Sequence, residues 1–498
     1  MGNLKKLAGE TAIYGMTTIV ARIINFFFVP LYTRTIDLDA YGIYGEIISY
    51  IAVLQVLFVF GMETTYFRFA SREGSNPNRV FSTILIFLAS ISLAVLVAGI
   101  VYADDIANMF GYFGRGELIW CSTAILAIDS FTAVIFARLR YMRKALKFGV
   151  FKCIKILSEV GFNLLLFFIL PKYAANNPDT FLLKFLSPQP DGGYILFAIL
   201  GSCIVSLLLF LPVLLRTKFS FSPTLLRKLL LYALPIVLSQ LPGVFNDVID
   251  RILFRFFSPD GQSSSELVGI FTANVKLAVF MTLFVQMFRF AAEPFFFSQS
   301  AKSDQKKVYV DVMNYFVIFC VFIFLVVALY LDIFKLFIGS DFRVGVGVVP
   351  IMLVANIFLG INFNLSMWYK ISGQTKFAIN ITLSGLALTI LINAVFMPYF
   401  GYYAAACGHL FSYLAMIIVS WALCKKYYHI PYNWKKICMY ITFGIVLFAI
   451  SQIVKQQNHI FNFAMNTALT LIYLCFVVKI EKIKLKTIKN IIKRNENT

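Results

Sequence analysis

Apolar and polar positions alternate along this chain on the scale of whole helices. About fourteen apolar stretches, each of roughly 20 residues, follow one another with short polar connections between them. The pattern predicts membrane-spanning helices at residues 11–32, 42–67, 79–102, 118–137, 150–170, 193–215 and 229–254. It continues with 267–288, 312–338, 346–368, 377–397, 401–424, 436–454 and 461–478. At about 35 residues per helix and loop, no enzyme-sized domain fits outside the bilayer. The longest connection, Lys172 to Gly193, is rich in Asn, Pro, Gly and Asp and is interrupted by Phe181-Leu182-Leu183.

Composition sharpens the picture. Sixty per cent of residues are hydrophobic and 14% are charged, which leaves too little polar surface to cover a water-soluble domain. The expected fold class is an all-α integral membrane protein. Lys5 and Lys6 precede the first apolar run as they would in a signal peptide. That run is too long for one and is interrupted by Arg22, so it reads as a retained helix. Eight scattered cysteines (Cys121, Cys153, Cys203, Cys320, Cys407, Cys424, Cys438 and Cys475) form no C-x-x-C pair. They read as small packing residues, with no disulfide frame, metal site or cofactor implied.

The net charge of +20 lies in short loops rather than in a stripe, so it is a topology signal and not a nucleic-acid footprint. Numbered alternately, one set of loops and ends carries 31 basic residues, among them Arg138, Arg140, Arg143, Lys144 and Lys147. The other set carries 8: Arg34, Arg115, Lys172, Lys184, Arg255, Lys335, Arg343 and Lys455. The rich set is expected to be cytoplasmic, which puts both termini inside. Trp120 then falls at an outer helix end, and Trp368, Trp421 and Trp434 at inner ends, the interfacial levels indoles prefer.

A short repeat links segments two and eight. Tyr41-Gly42-Ile43-Tyr44 opens one and Val268-Gly269-Ile270-Phe271 the other, six helices apart. Six is even, so the halves share orientation and are expected to form two six-helix lobes about an axis along the membrane normal. The expected divisions are 1–220 and 221–428 for the lobes, 429–480 for two additional helices, and 481–498 for a basic tail. Pro30 lies in segment one, while Pro235 and Pro242-Gly243 are expected to interrupt segment seven.

A charge at the centre of a spanning helix costs roughly 2.5–3.5 kcal/mol on insertion scales and requires a reason. Arg22, Asp129 and Lys276 lie near the middle of their segments. Arg22 shares a helix face with Thr18 and Asn25, and Lys276 sits near Thr272 and Asn274. Two cations facing one cavity suit an anion such as a phosphate or pyrophosphate. The bland alternative is that Asp129 neutralises Arg22 or Lys276. Asp247, Asp250 and Arg251 are placed to line an outer gate or carry a coupling ion, or to form a solvated helix end with an Asp247–Arg251 pair. Glu159 is expected to pair with Lys155, and His409 to be a hydrogen-bonded packing residue. No G-x-x-x-x-G-K-[ST], H-E-x-x-H or G-x-S-x-G motif is present.

The stretch from Leu336-Phe337-Ile338-Gly339 and Phe342 continues through Val349-Pro350-Ile351-Met352-Leu353 and Gly373-Gln374-Thr375-Lys376. Asn393, Pro398, Phe400-Gly401 and Ala404-Ala405-Ala406 complete it. With Ala40-Tyr41-Gly42-Ile43-Tyr44, it resembles the MATE-like polysaccharide flippases (Wzx type) of the multidrug/oligosaccharidyl-lipid/polysaccharide exporter superfamily. The resemblance implies two six-helix lobes around a cationic cavity, in a bacterial inner membrane. It also implies the flipping of undecaprenyl-pyrophosphate-linked oligosaccharides, with a polysaccharide polymerase as a candidate partner. Arg22 matches the cationic position on the family's first helix, and Lys276 matches by location. A multidrug cation antiporter shares the architecture but calls for an acidic cavity. A membrane enzyme is disfavoured because the loop from Lys172 to Gly193 lacks His and Arg.

Overall fold

The computed structural model describes residues 15, 17, 19–176, 189–299 and 305–482. Lys5, Lys6, Thr18, Lys184, Lys302 and the tail beyond 482 lie outside the described residues. All regular structure among the described residues is helical. Twelve helices are long and apolar enough to cross a membrane, or thirteen when the two pieces of the eighth segment count as one span.

We number the main helices in chain order. α1 covers 19–27 and resumes as Val29–Thr35 after a turn at Phe28, just before Pro30. α2 is Leu38–Val59, continued by Met62–Ala70; α3 is Pro77–Val101; α4 is Gly116–Tyr141; α5 begins as Ala145–Leu164; α6 is Gly192–Leu215. α7 is Pro223–Phe257, α8 Ser264–Leu277, α9 Val279–Gln299, α10 Gln305–Leu329 and α11 Val348–Leu365. α12 is Phe377–Phe400, α13 Tyr402–Tyr427, α14 Trp434–Val454 and α15 His459–Ile480.

The sequence chemistry at the helix starts explains their positions. Asp37 accepts from the Ala40 amide, Asn76 from those of Asn78 and Arg79 ahead of Pro77, and Asn458 from Ile460 and Phe461. The break in α2 falls at Phe60-Gly61, where both residues are left-handed, with φ of 51° and 60°. Gly61 adopts this freely; Phe60 does so under strain.

Three expectations are corrected. α7 is a continuous 35-residue helix through Pro235 and Pro242, with no interruption. Segment eight is instead broken at Ala278, with neither Gly nor Pro at the break. Trp368 is completely buried, donating its indole N–H to Ser420 Oγ at 3.2 Å, and is not an interfacial anchor.

The described residues pack into two compact units, neither of them a contiguous half of the sequence. The first falls within Met1–Lys276, Ile338–Val348 and Thr375–Met416, the second within Leu277–Phe337, Val349–Gln374 and Ile417–Thr498. In the first, Phe136 packs edge-on against Phe148 and Phe210 with ring centroids 5.3 and 4.8 Å apart. In the second, α14 and α15 pack on α10. Asn466 donates to the Leu329 carbonyl at 2.6 Å and accepts from Ser451 Oγ at 2.8 Å.

The repeat reappears as a contact within the first unit. A Cβ on Gly42 would lie 1.7 Å from the Ser265 carbonyl oxygen, and one on Gly269 would lie 2.2 Å from that of Leu38. Leu38 precedes Gly42 by the same interval that separates Ser265 from Gly269. Such reciprocity is what a local two-fold relation requires.

Candidate functional site

Three cationic side chains from distant parts of the chain gather in the first unit. Arg22 comes from α1, Arg251 from α7, and Lys276 from the last turn of α8. Lys276 lies within electrostatic range of Arg251 and Arg22, and Arg22 within range of Asp247. Arg22, Asp247 and Lys276 are each solvent-accessible, although they sit within apolar helices. Charges this deep in apolar helices require protein or water around them rather than lipid. Among the described residues neither Arg22 nor Lys276 forms an ion pair. Asn25, one turn after Arg22, is exposed on the same face.

The break at Ala278 changes the reading of Lys276. Lys276 belongs to the last turn of α8, where unpaired carbonyls carry partial negative charge and favour a cation. A discontinuous helix thus supplies some of the stabilisation that a continuous one would lack.

Arg251 does not pair with the Asp247 carboxylate. Its Nη1 donates to the Asp247 backbone carbonyl at 3.2 Å, its Nε to Thr272 Oγ1 at 3.3 Å, and its guanidinium lies over the Phe271 ring. The side chain is drawn towards α8, and Asp247 instead accepts from the Tyr413 hydroxyl at 3.1 Å. Asp250 is not part of a solvated helix end: it is fully buried. Arg251 Nη1 and His409 Nε2 each stand 3.5 Å from its Oδ1, and its oxygens accept no hydrogen bond among the described residues. His409, expected as a hydrogen-bonded packing residue, stacks on Phe271 with its Nε2 beside this carboxylate. Three cations face two carboxylates here, so the cluster is net positive.

Two other expected members lie elsewhere. Asn274 is buried and donates to the Ile270 and Phe342 carbonyls at 2.8 and 2.7 Å, tying α8 to the segment at 342 rather than lining the cavity. Asp129 pairs with neither Arg22 nor Lys276. Its Oδ1 lies 2.6 Å from Lys155 Nζ, and Lys155 thereby meets Asp129 and not Glu159, because α4 packs directly against α5. That pair borders a separate cavity of about 470 Å³ between α2, α4 and α5, which also exposes Glu63, Arg140 and Lys152.

Sequence reasoning missed one strong pair. Buried Glu46 of α2 accepts from Arg255 Nε at 2.9 Å, from the Tyr112 hydroxyl at 2.8 Å and from that of Tyr50 at 3.2 Å. Arg255 also donates to the Phe110 carbonyl at 2.7 Å. Arg255 had been assigned to an outer loop, whereas it closes the last turn of α7. The available signal was a carboxylate inside an apolar stretch.

Comparison with known proteins places this geometry. The family model described as "Polysaccharide biosynthesis protein" matches residues 7–300. The structure of the "Lipid II flippase MurJ, inward closed conformation" matches with a TM-score of 0.67 at 14% identity, covering 93% of this chain and 98% of that one. An outward-facing multidrug resistance MATE family transporter of the MOP superfamily matches at 0.55 and 15% identity, covering 84% and 94%. A MOP superfamily transporter from Pyrococcus furiosus Vc1, whose title reports reverse polarity of the binding pocket, matches at 0.52 and 14%, covering 85% and 96%. No curated protein sequence matches the chain significantly. The chain therefore belongs to the polysaccharide biosynthesis protein family, and its many-helix membrane fold is that of the MATE-like transporters of the MOP superfamily.

Proposed function

We propose that this protein flips undecaprenyl-pyrophosphate-linked oligosaccharide, an O-antigen, capsule or exopolysaccharide repeat unit, across a bacterial inner membrane by alternating access. The observation that carries this reading is the net-cationic cluster of Arg22, Arg251 and Lys276 within one packed unit. Arginine forks suit phosphate oxygens, and Lys276 adds a point charge. The pyrophosphate and sugars occupy the cavity while the lipid tail stays in the bilayer. The likeness to a lipid II flippase supports the same class of cargo.

In this reading the lobes 1–220 and 221–428 rock about the site, and 429–480 is an addition outside the repeat. Both termini, including the 481–498 tail, are cytoplasmic, and a polymerase receives the glycan outside. Asp250, buried beside His409, carries the coupling ion, and Asp247 and Arg251 flank it at the gate. Glycan display by cells carrying Arg22→Ala with Lys276→Ala is the test. The double variant is expected to insert normally and to display no glycan; normal display rules the assignment out.

The alternative is a MATE-like multidrug cation antiporter, favoured by the fold and by the Asp250–His409 pair. The positive excess in the cavity opposes it, because cations would be repelled. Raised resistance to cationic dyes on expression would select it.

A further inference from the structure

The cavity between α2, α4 and α5 is separate from the cation cluster just described, and its wall chemistry is mixed. Glu63 pairs with Arg140, and Asp129 with Lys155, so these four charges cancel. Lys152 is left over. It reaches the same cavity from α5, one turn before Lys155, and among the described residues no carboxylate lies within salt-bridge distance of it. Its ammonium rests 4.2 Å from the centroid of the Phe136 ring. An unpaired ammonium at a half-buried position favours an anionic partner.

The accessible rest of the wall suits a sugar. Gln55 and the paired carboxylates offer hydrogen-bond partners for hydroxyls, while the half-buried Ile48, Ile51 and Ala52 offer apolar surface for the C–H faces of a ring. The volume of about 470 Å³ lies within the usual range of ligand cavities. The helices carrying it meet at the basic turn from Arg138 to Lys147, the end of the bundle where cargo would enter under the proposed topology.

We propose that this cavity is a glycan subsite that selects cargo bearing a carboxylate sugar, with Lys152 as its countercharge. The proposal deepens the flippase reading and rests on it for the identity of the cargo. It predicts that the protein discriminates between glycans that differ only in acidity, independently of the pyrophosphate.

The test uses the purified full chain and two soluble trisaccharides, one neutral and one with a hexose replaced by the corresponding uronic acid. Lys152→Gln is expected to weaken binding of the acidic glycan roughly 10- to 100-fold, as for loss of a hydrogen bond to a charged group. The neutral glycan should bind unchanged, and Lys152→Arg should restore the acidic one. Equal weakening for both glycans, or for neither, would overturn the proposal. A defect that vanishes when phosphatidylglycerol is omitted from phosphatidylethanolamine vesicles would also overturn it, by making a lipid headgroup the occupant. Transport of the same glycans on undecaprenyl pyrophosphate separates the two claims. Wild-type protein that binds them selectively but moves neither contradicts the flippase reading and leaves the subsite standing.

Discussion

A cation at the carboxyl end of a helix is stabilised by the carbonyls there, and Lys276 occupies such an end inside the membrane. The contrast with Asp250 is chemical: Asp250 is fully buried, 3.5 Å from both Arg251 and His409, and accepts no hydrogen bond among the described residues. In the proposed reading such a group exchanges a coupling ion rather than binding a large headgroup. Asp250→Asn should reduce gradient-driven transport by about tenfold or more while glycan binding stays within about twofold, measured on the same preparation. Loss of binding in that variant would move Asp250 from coupling to substrate. Glu46 is different again. Buried and bonded to Arg255, Tyr112 and Tyr50, it is a structural tie whose removal in Glu46→Ala should cost about 3–5 kcal/mol, read from unfolding in detergent. The charged positions themselves were legible because each interrupts an apolar run. Their partners were not, because Lys155 chooses Asp129 over Glu159 through the packing of α4 on α5, which no spacing rule encodes.

Helices were legible where hydropathy and capping agree. Segment three, expected at 79–102, runs Pro77–Val101 behind an Asn76 cap, and segment six, expected at 193–215, runs Gly192–Leu215 behind Asp191. The errors came from tertiary effects on local signals. Pro235 and Pro242 sit in an unbroken α7, whereas α8 ends at Leu277 without a breaker residue. The crossing of α2 and α8 at Gly42 and Gly269 makes a sharp prediction. In Gly42→Ala the new Cβ would meet the Ser265 backbone carbonyl, which cannot rotate away. The helices must separate, at a cost of about 1–3 kcal/mol or more. A cysteine pair placed across the crossing should cross-link more slowly in that variant.

In the second unit, Asp332 links Lys335 and Lys455, each at 2.6 Å, beyond the ends of α10 and α14. Burial alone would raise its pKa, but hydrogen bonds from Lys335 and Lys455 hold it below the usual carboxylate value. A depressed folded pKa contributes stability above the unfolded value, near 3.9. That contribution is lost as pH falls through the folded pKa. The stability gap between wild type and Asp332→Asn should therefore be present at neutral pH and close as the solution is taken below about pH 4. A gap that is independent of pH would show that the carboxylate charge is not what matters.

At the scale of the whole molecule, the membrane class follows from the succession of apolar stretches, because the bilayer fixes helix length; about fourteen spans are expected, and twelve or thirteen are found among the described residues. The composition of the two packed units does not follow from it. α7, α12 and the start of α13 come together through contacts between residues more than a hundred positions apart, such as Thr389 and Ser412 donating to Asn246, at 2.7 and 2.9 Å. The family and the fold are shown by comparison, and in the proposed reading the positive excess of Arg22, Arg251 and Lys276 over Asp247 and Asp250 favours an anionic cargo. The most direct measurement is translocation of a fluorescent undecaprenyl-pyrophosphate oligosaccharide by the purified protein in sealed vesicles, compared with the Arg22→Ala, Lys276→Ala variant. Wild type should move the lipid to the opposite leaflet and the variant should not. Equal translocation by both proteins would contradict the assignment of these cations to the pyrophosphate.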